Sequence, residues 1–311
     1  MTRRLRDTAV RLLDAVAQRR RAWAALGFVC VAILACAATP RERDAAAEQR
    51  AAIARANVET ALYNQPALLQ RSIEALQPRD PNRINLYLLT VAGDGSQEVF
   101  RREAQFVGDE FERLFHVRGH TLALINSRNT VSTLPMATVT SIREALKAIA
   151  ARMDRERDIL FLFITTHGSR DHALVLDQIG MDLPWLTPST LAALLDETGI
   201  RWKAVLVSAC FSGGFIQPLD DGHTLVMTAA RADRSSFGCA DENELTDFGR
   251  AYFKEALPQS ASFEDAFHRA RLLVDEWETR EKLQHSRPQM VDPPEVSAYL
   301  ARWWAQARAA R

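Results

Sequence analysis

The chain has 311 residues, enough for one large domain with a sizeable core or for two small ones. Lysine plus arginine equals aspartate plus glutamate at 39 each, so no basic excess exists to displace counterions from phosphate, and a nucleic-acid partner is excluded on charge. Four cysteines spread over this length do not make a disulfide scaffold.

The first 21 residues carry seven arginines against two aspartates, and an uncharged, mostly apolar segment follows over 22–38. That segment is short for a spanning helix of about 20 residues and suits a signal core of about 7–15. Its end, Ile33-Leu-Ala-Cys36, resembles a bacterial lipoprotein cleavage box with Cys36 as the lipidated residue. An uncleaved signal anchor is the alternative. Either way the basic side stays in the cytoplasm and the rest is exported, giving a membrane-anchored protein of the bacterial cell envelope that faces the periplasm. A buried amphipathic helix is the duller reading, and the lack of polar residues argues against it.

Residues 39–81 are rich in alanine and charge, and they predict a helical stalk or spacer broken at Pro66, with a propeptide as the other reading. Pro78-Arg-Asp-Pro81 then punctuates the entry to a globular domain over 82–311. A first strand is predicted over 84–91, followed by the glycine-rich turn Ala92-Gly-Asp-Gly95 and a helix over 99–115. A short strand over 121–125 leads to an amphipathic helix over 138–153, with Ile142, Leu146 and Ile149 on one face. A third strand runs from Asp158 to His167, and a helix over 188–198 follows, capped near Thr187 or Ser189. The fourth strand runs from Lys203 to Cys210, and a fifth covers 223–228. Helices over 245–257, 262–283 and 293–305 close the chain. This alternation predicts a doubly wound, mostly parallel α/β sheet.

Two apolar runs end in reactive side chains, His167 followed by Gly168, and Cys210 followed by Phe-Ser-Gly-Gly. In an open α/β sheet, chemistry sits beyond the carboxyl ends of the strands. Neighbouring strands lie about 4.8 Å apart, so an imidazole and a thiol at their tips can face each other. That is the minimum for a thiol nucleophile with a histidine acid and base. Backbone N–H groups at Gly168 and Cys210 suit an oxyanion. A cysteine after an apolar strand is also an ordinary core residue, and His-Gly also caps turns; the two strand ends together favour chemistry. His167, Cys210, Cys239 and His223 show no paired spacing for a metal, and Ser212 lacks the G-x-S-x-G elbow of a serine nucleophile. In an oxidising compartment, Cys210 and Cys239 could pair and silence the thiol.

Four segments carry a resemblance. They are Thr90-Val-Ala-Gly93, Phe161-Leu-Phe-Ile-Thr-Thr-His-Gly-Ser169, Ser208-Ala-Cys-Phe-Ser-Gly213 and Val226-Met-Thr-Ala-Ala-Arg-Ala-Asp-Arg-Ser-Ser-Phe-Gly-Cys239. Together they resemble the C13 cysteine peptidases, the legumain-like family, and Arg287-Pro-Gln-Met290 looks like the Pro-Gln that closes the wider caspase-like group. The resemblance implies a caspase-like α/β/α sandwich, a His167–Cys210 dyad, an acyl-enzyme thioester and no cofactor. It implies a peptide or protein substrate cut after asparagine or aspartate. Asp94 stands in the place of the family's histidine-orienting asparagine, as its substitute. Arg101 matches the arginine of the family's primary pocket, Ala209 replaces an acid before the cysteine, and Ser236 falls in the last segment as a substrate-binding residue. Arg250 replaces a pocket aspartate, which would favour aspartate at the cleaved position; the bland alternative is a solvated helix residue paired with Asp247. An exported endopeptidase is the leading reading. The alternatives are a transpeptidase or transamidase with the same dyad, and a membrane-anchored binding module that has lost turnover.

Overall fold

The computed structural model describes residues 40–309. The segment 1–38, with Cys30 and the predicted lipidation site Cys36, lies outside the described residues. Among the described residues, no helix is long and apolar enough to cross a membrane. Contacts divide the chain after Ile53, and residues 54–311 form the larger compact unit.

The sheet follows from five apolar runs. β1 (Leu86–Ala92), β3 (Ile159–Thr165), β4 (Trp202–Ser208) and β5 (Thr224–Thr228) are buried at every residue, as parallel strands covered on both faces must be. With β2 (Thr121–Ile125) and β6 (Gln289–Val291) they make a six-stranded sheet in the order β2-β1-β3-β4-β5-β6, parallel except for β6. The strand alternation sorts side chains into two apolar layers. Leu88, Phe161, Phe163, Leu206 and Met227 share one layer with residues of the helix α2 (Glu98–Phe115) and of the C-terminal helices. Those comprise α6, a continuous run of an α turn (Asp247–Gly249), a π segment (Arg250–Ala256) and a 3-10 turn (Leu257–Gln259), then α7 (Phe263–Glu281) and α8 (Pro294–Ala309). Leu89, Leu162, Ile164, Val205 and Val207 share the other layer with α3 (Val139–Arg152), α4 (Pro188–Asp196) and the one-turn α5 (Ile216–Leu219). The α/β/α sandwich expected from sequence is therefore the observed architecture.

Caps sit where the chain chemistry puts them. Thr138 accepts from Ser141 N in a capping box, Thr187 accepts from Thr190 N, and Ser262 accepts from Asp265 N. Two elements depart from expectation. The helix α1 (Pro40–Glu74) runs straight through Pro66, where the sequence predicted a break. Beside that proline, Gln65 Nε2 donates to Val131 O at 2.8 Å and Leu134 O at 3.1 Å, and its Oε1 accepts from Met136 N at 2.7 Å. These long-range bonds hold the helix where local propensity alone would end it. Ala61, Leu68 and Leu76 are buried, so the chain from Ala54 onward packs as part of the larger unit and does not stand off as a stalk. β6 was not predicted, because three half-buried residues next to prolines carry no strand pattern and gain one only by pairing with β5.

The carboxylate of Asp158, fully buried, ties down the end of the sheet opposite the strand tips. It accepts from Arg79 Nε at 2.7 Å, Asn85 N at 2.8 Å, Asn85 Nδ2 at 2.9 Å and Asp154 N at 2.8 Å. Burial works against its charge, but the bonds from Arg79, Asn85 and Asp154 outweigh burial and hold the carboxyl below its usual range. Asp158→Ala strands Arg79 and Asn85 and is expected to cost about 3–5 kcal/mol in urea unfolding. A depressed folded pKa contributes stability above the unfolded value of about 3.9, lost as pH falls through the folded one. The stability gap between wild type and Asp158→Asn should therefore be constant near neutrality and close below about pH 4.

Candidate active site

The parallel register of β3 and β4 ends at the pair Thr165↔Ser208. His167 and Cys210 each lie two residues further, at matching heights beyond adjacent strands. Thr166 N donates to Ser208 O at 3.2 Å, which carries the pairing one step past the last registered pair. Gly168 then presses on the backbone of Cys210: a Cβ there would sit 2.0 Å from Cys210 O. Only glycine permits that approach.

After Cys210 the chain turns sharply. Phe211 takes a left-handed conformation (φ 56°), an outlier for a bulky residue that persists only when its surroundings fix it. Phe211 N donates to Arg234 O at 2.7 Å, and Phe211 O accepts from His172 Nδ1 at 3.0 Å and Gly214 N at 3.2 Å. The turn leaves the thiol half-buried at the tip, where Ser236 N donates to Sγ at 3.3 Å. The sulfur in turn lies 3.5 Å from Ser236 O, so one residue of the facing loop holds it from both sides.

His167 is also half-buried. Its Nε2 lies 2.6 Å from Gln97 Oε1, and its ring meets Phe100 edge-on at 5.1 Å between centroids. An amide oxygen only accepts, so Nε2 carries the proton and Nδ1 is left as the basic nitrogen. Gln97 is the residue before α2, and Asp241 Oδ1 fixes the start of that helix by accepting from Glu98 N at 2.7 Å.

The other residues singled out by sequence are placed as follows. Asp94 does not touch the imidazole: its Oδ1 accepts from Ser96 N at 2.8 Å, and its backbone bridges Asp177. The orienting partner on the ring is Gln97, three residues on, because the Gly93–Gly95 turn directs Asp94 into its own loop. Ala209 is buried in the apolar layer shared with α3 and α4. Arg101 is held by Glu98 at 2.5 Å and by Gln105 at 2.8 Å. Its neighbour Arg102 donates to the carbonyls of Asp241 and Asn243. The Arg250 guanidinium lies 4.8 Å from the Trp277 ring centroid and pairs with Glu255 at 3.4 Å, on the outer side of α6. That is the solvated-helix alternative in kind, with Glu255 in place of Asp247, and it removes the structural ground for a more basic pocket. Cys210 and Cys239 are both free thiols; burial first, then the charge of Cys210, pushes the Cys239 thiol up. Among the described residues, no group of three or more His, Cys, Asp or Glu is arranged to hold a metal.

The structure thus places a thiol and an imidazole at matching heights beyond the carboxyl ends of adjacent parallel strands, where open α/β folds carry their chemistry. Residues 144–294 match the peptidase C13 family, and that match supports a C13 family peptidase. No curated protein matches it. The matched segment includes His167, Cys210 and Ser236; Gln97 lies before it, as does Glu103, a fully buried carboxylate in α2. Sequence reasoning missed both. The one signal for Gln97 was its place between a glycine-rich turn and the first charged residue of a helix.

Glycines test the geometry directly. Gly168→Ala should lower the thermal midpoint and slow Cys210 alkylation, because the backbone of one strand tip must move. Gly108→Ala in α2, where an added Cβ meets nothing nearer than Thr121 Cγ2 at 3.9 Å, should stabilise the fold by about 0.5–1 kcal/mol and leave alkylation unchanged.

Proposed function

We propose that the chain is an exported cysteine endopeptidase that cleaves peptide bonds through His167 and Cys210. The observation that carries this reading is the contact of Gly168 with the Cys210 carbonyl, which brings the two strand tips together. His167 Nδ1 takes the thiol proton, and Sγ attacks the scissile carbonyl carbon. The backbone N–H groups of Gly168 and Cys210 serve the oxyanion. The carbon–nitrogen bond then breaks, the amine leaves with the proton from Nδ1, and a thioester remains on Cys210. Water, deprotonated by the same nitrogen, releases the carboxylate and restores the thiol. Gln97 keeps the ring in the working tautomer, and the Ser236 N–H holds the sulfur in place.

Cleavage after aspartate or asparagine is part of this reading by family resemblance, with Arg101 and Ser236 as substrate-side residues. Export and membrane attachment rest on the basic residues 1–21, the apolar segment 22–38 and the Cys36 box. Labelled palmitate should enter the wild type in a bacterial host and not Cys36→Ser; equal labelling would remove the lipoprotein reading.

Turnover of a fluorogenic peptide library under mild reductant tests the chemistry. Cys210→Ala and His167→Ala should abolish cleavage, and Gln97→Ala should lower kcat about 10–100-fold. Asp94→Ala should stay near wild type, and Arg250→Ala should not change the ratio of cleavage after aspartate to cleavage after asparagine. Cleavage that survives Cys210→Ala would overturn the dyad. Product masses with an added amine separate hydrolysis from transpeptidation.

A further inference from the structure

Glu103 takes no part in the chemistry above, yet its side chain reaches the base of both strand tips. It is completely buried, in the second turn of α2. Its Oε1 accepts from Thr246 N at 3.0 Å and Thr246 Oγ1 at 2.7 Å, and its Oε2 accepts from Thr165 Oγ1. Thr165 ends β3, two residues before His167. Thr246 Oγ1 also lies 3.1 Å from Ser208 Oγ, and Ser208 ends β4, two residues before Cys210. A Cβ on Gly249 would fall 1.7 Å from Glu103 Oε1, so a glycine there is what admits the carboxylate. An apolar side chain would fill such a site at lower cost than a carboxylate taken out of water. What the acid adds is direction: one group binds hydroxyls from two separate chain segments at fixed angles.

We propose that Glu103 is a positioning residue, whose carboxylate joins the last residue of β3 directly and the last residue of β4 through Thr246, and so sets His167 against Cys210. This rests on the peptidase reading for its kinetic consequence, though not for its structural one. The clamp is sensitive to protonation. Burial pushes the Glu103 carboxyl up to about 6, against the bonds from Thr165 and Thr246, and the Asp247 charge adds to the rise. On its own helix, Arg101 and Arg102 are turned to Glu98, Gln105 and the carbonyls of Asp241 and Asn243; β3 and β4 present hydroxyls, and α6 presents Asp247. Once protonated, the acid must donate one bond where it had accepted three, so a hydroxyl at a strand tip has to reverse.

The test compares the full chain with Glu103→Gln, which has the same shape and cannot titrate there. Iodoacetamide alkylation of Cys210, located by peptide mass, is followed from pH 5 to pH 8 beside peptide turnover. The variant should lose about tenfold in kcat with KM within about twofold, as expected for misplaced reacting groups. The ratio of wild-type to variant alkylation rates should change by at least about threefold across pH 6. A ratio flat in pH, with kcat within about twofold of wild type, would overturn the proposal. Should Glu103→Gln fail to fold, Thr165→Val and Ser208→Ala cut the two arms singly. Each should lower kcat and Cys210 alkylation, and wild-type values in both would overturn the proposal. A wild type that alkylates with the expected pH step but cleaves no peptide removes the peptidase reading and supports the clamp.

Discussion

The pairing of β3 with β4 is the constraint on which the rest depends. Two parallel strands in register deliver any residues at equal distance past their ends to the same height, about one strand spacing apart. The register ends at Thr165↔Ser208, so His167 and Cys210 arrive at the same height. The sheet is rigid because its central strands are buried on both faces, and a one-residue slip would reverse every side chain between the two apolar layers. The reactive pair thus inherits its precision from core packing several residues away.

Beyond the strand ends, polar contacts take over from packing. The left-handed turn at Phe211, the Ser236 N–H on sulfur and the Gln97 amide on the imidazole each come from a different segment. The buried carboxylates divide the sheet between them: Asp158 secures its amino end and Glu103 lies beneath its carboxyl end. Both are surrounded by donors, which is the condition for a carboxylate to be buried at all. They titrate in opposite directions because Asp158 has an arginine beside it, whereas Glu103 has only neutral donors and the nearby Asp247 charge.

Much of this was legible in the chain. Periodicity gave every strand of the parallel set within two or three residues, since runs such as Ile-Leu-Phe-Leu-Phe-Ile have no use except in a sheet covered on both sides. Thr187 announced its helix by local chemistry. Local reasoning failed where a distant partner overrode propensity, at Pro66 through Gln65 and at β6 through β5. In the site, the strand-end pair was readable, but its partners were not. Gln97 is 70 residues from His167, and Glu103 is 62 from Thr165 and 143 from Thr246; a glutamine or glutamate at the start of a helix pattern reads as solvated surface.

The sequence by itself determined the sandwich, the order of its elements and the two strand ends that carry a thiol and an imidazole, because hydrophobic period and strand termination are local properties of the chain. Tertiary structure alone decided what each reactive group touches. It gave the imidazole to Gln97 and not Asp94, set Arg250 on Trp277 and away from the thiol, and buried Glu103 under both strand tips. Those outcomes depend on where loops and helix ends come to rest after the sheet has formed, and a hydrogen bond between residues far apart in the chain leaves no periodic trace in it.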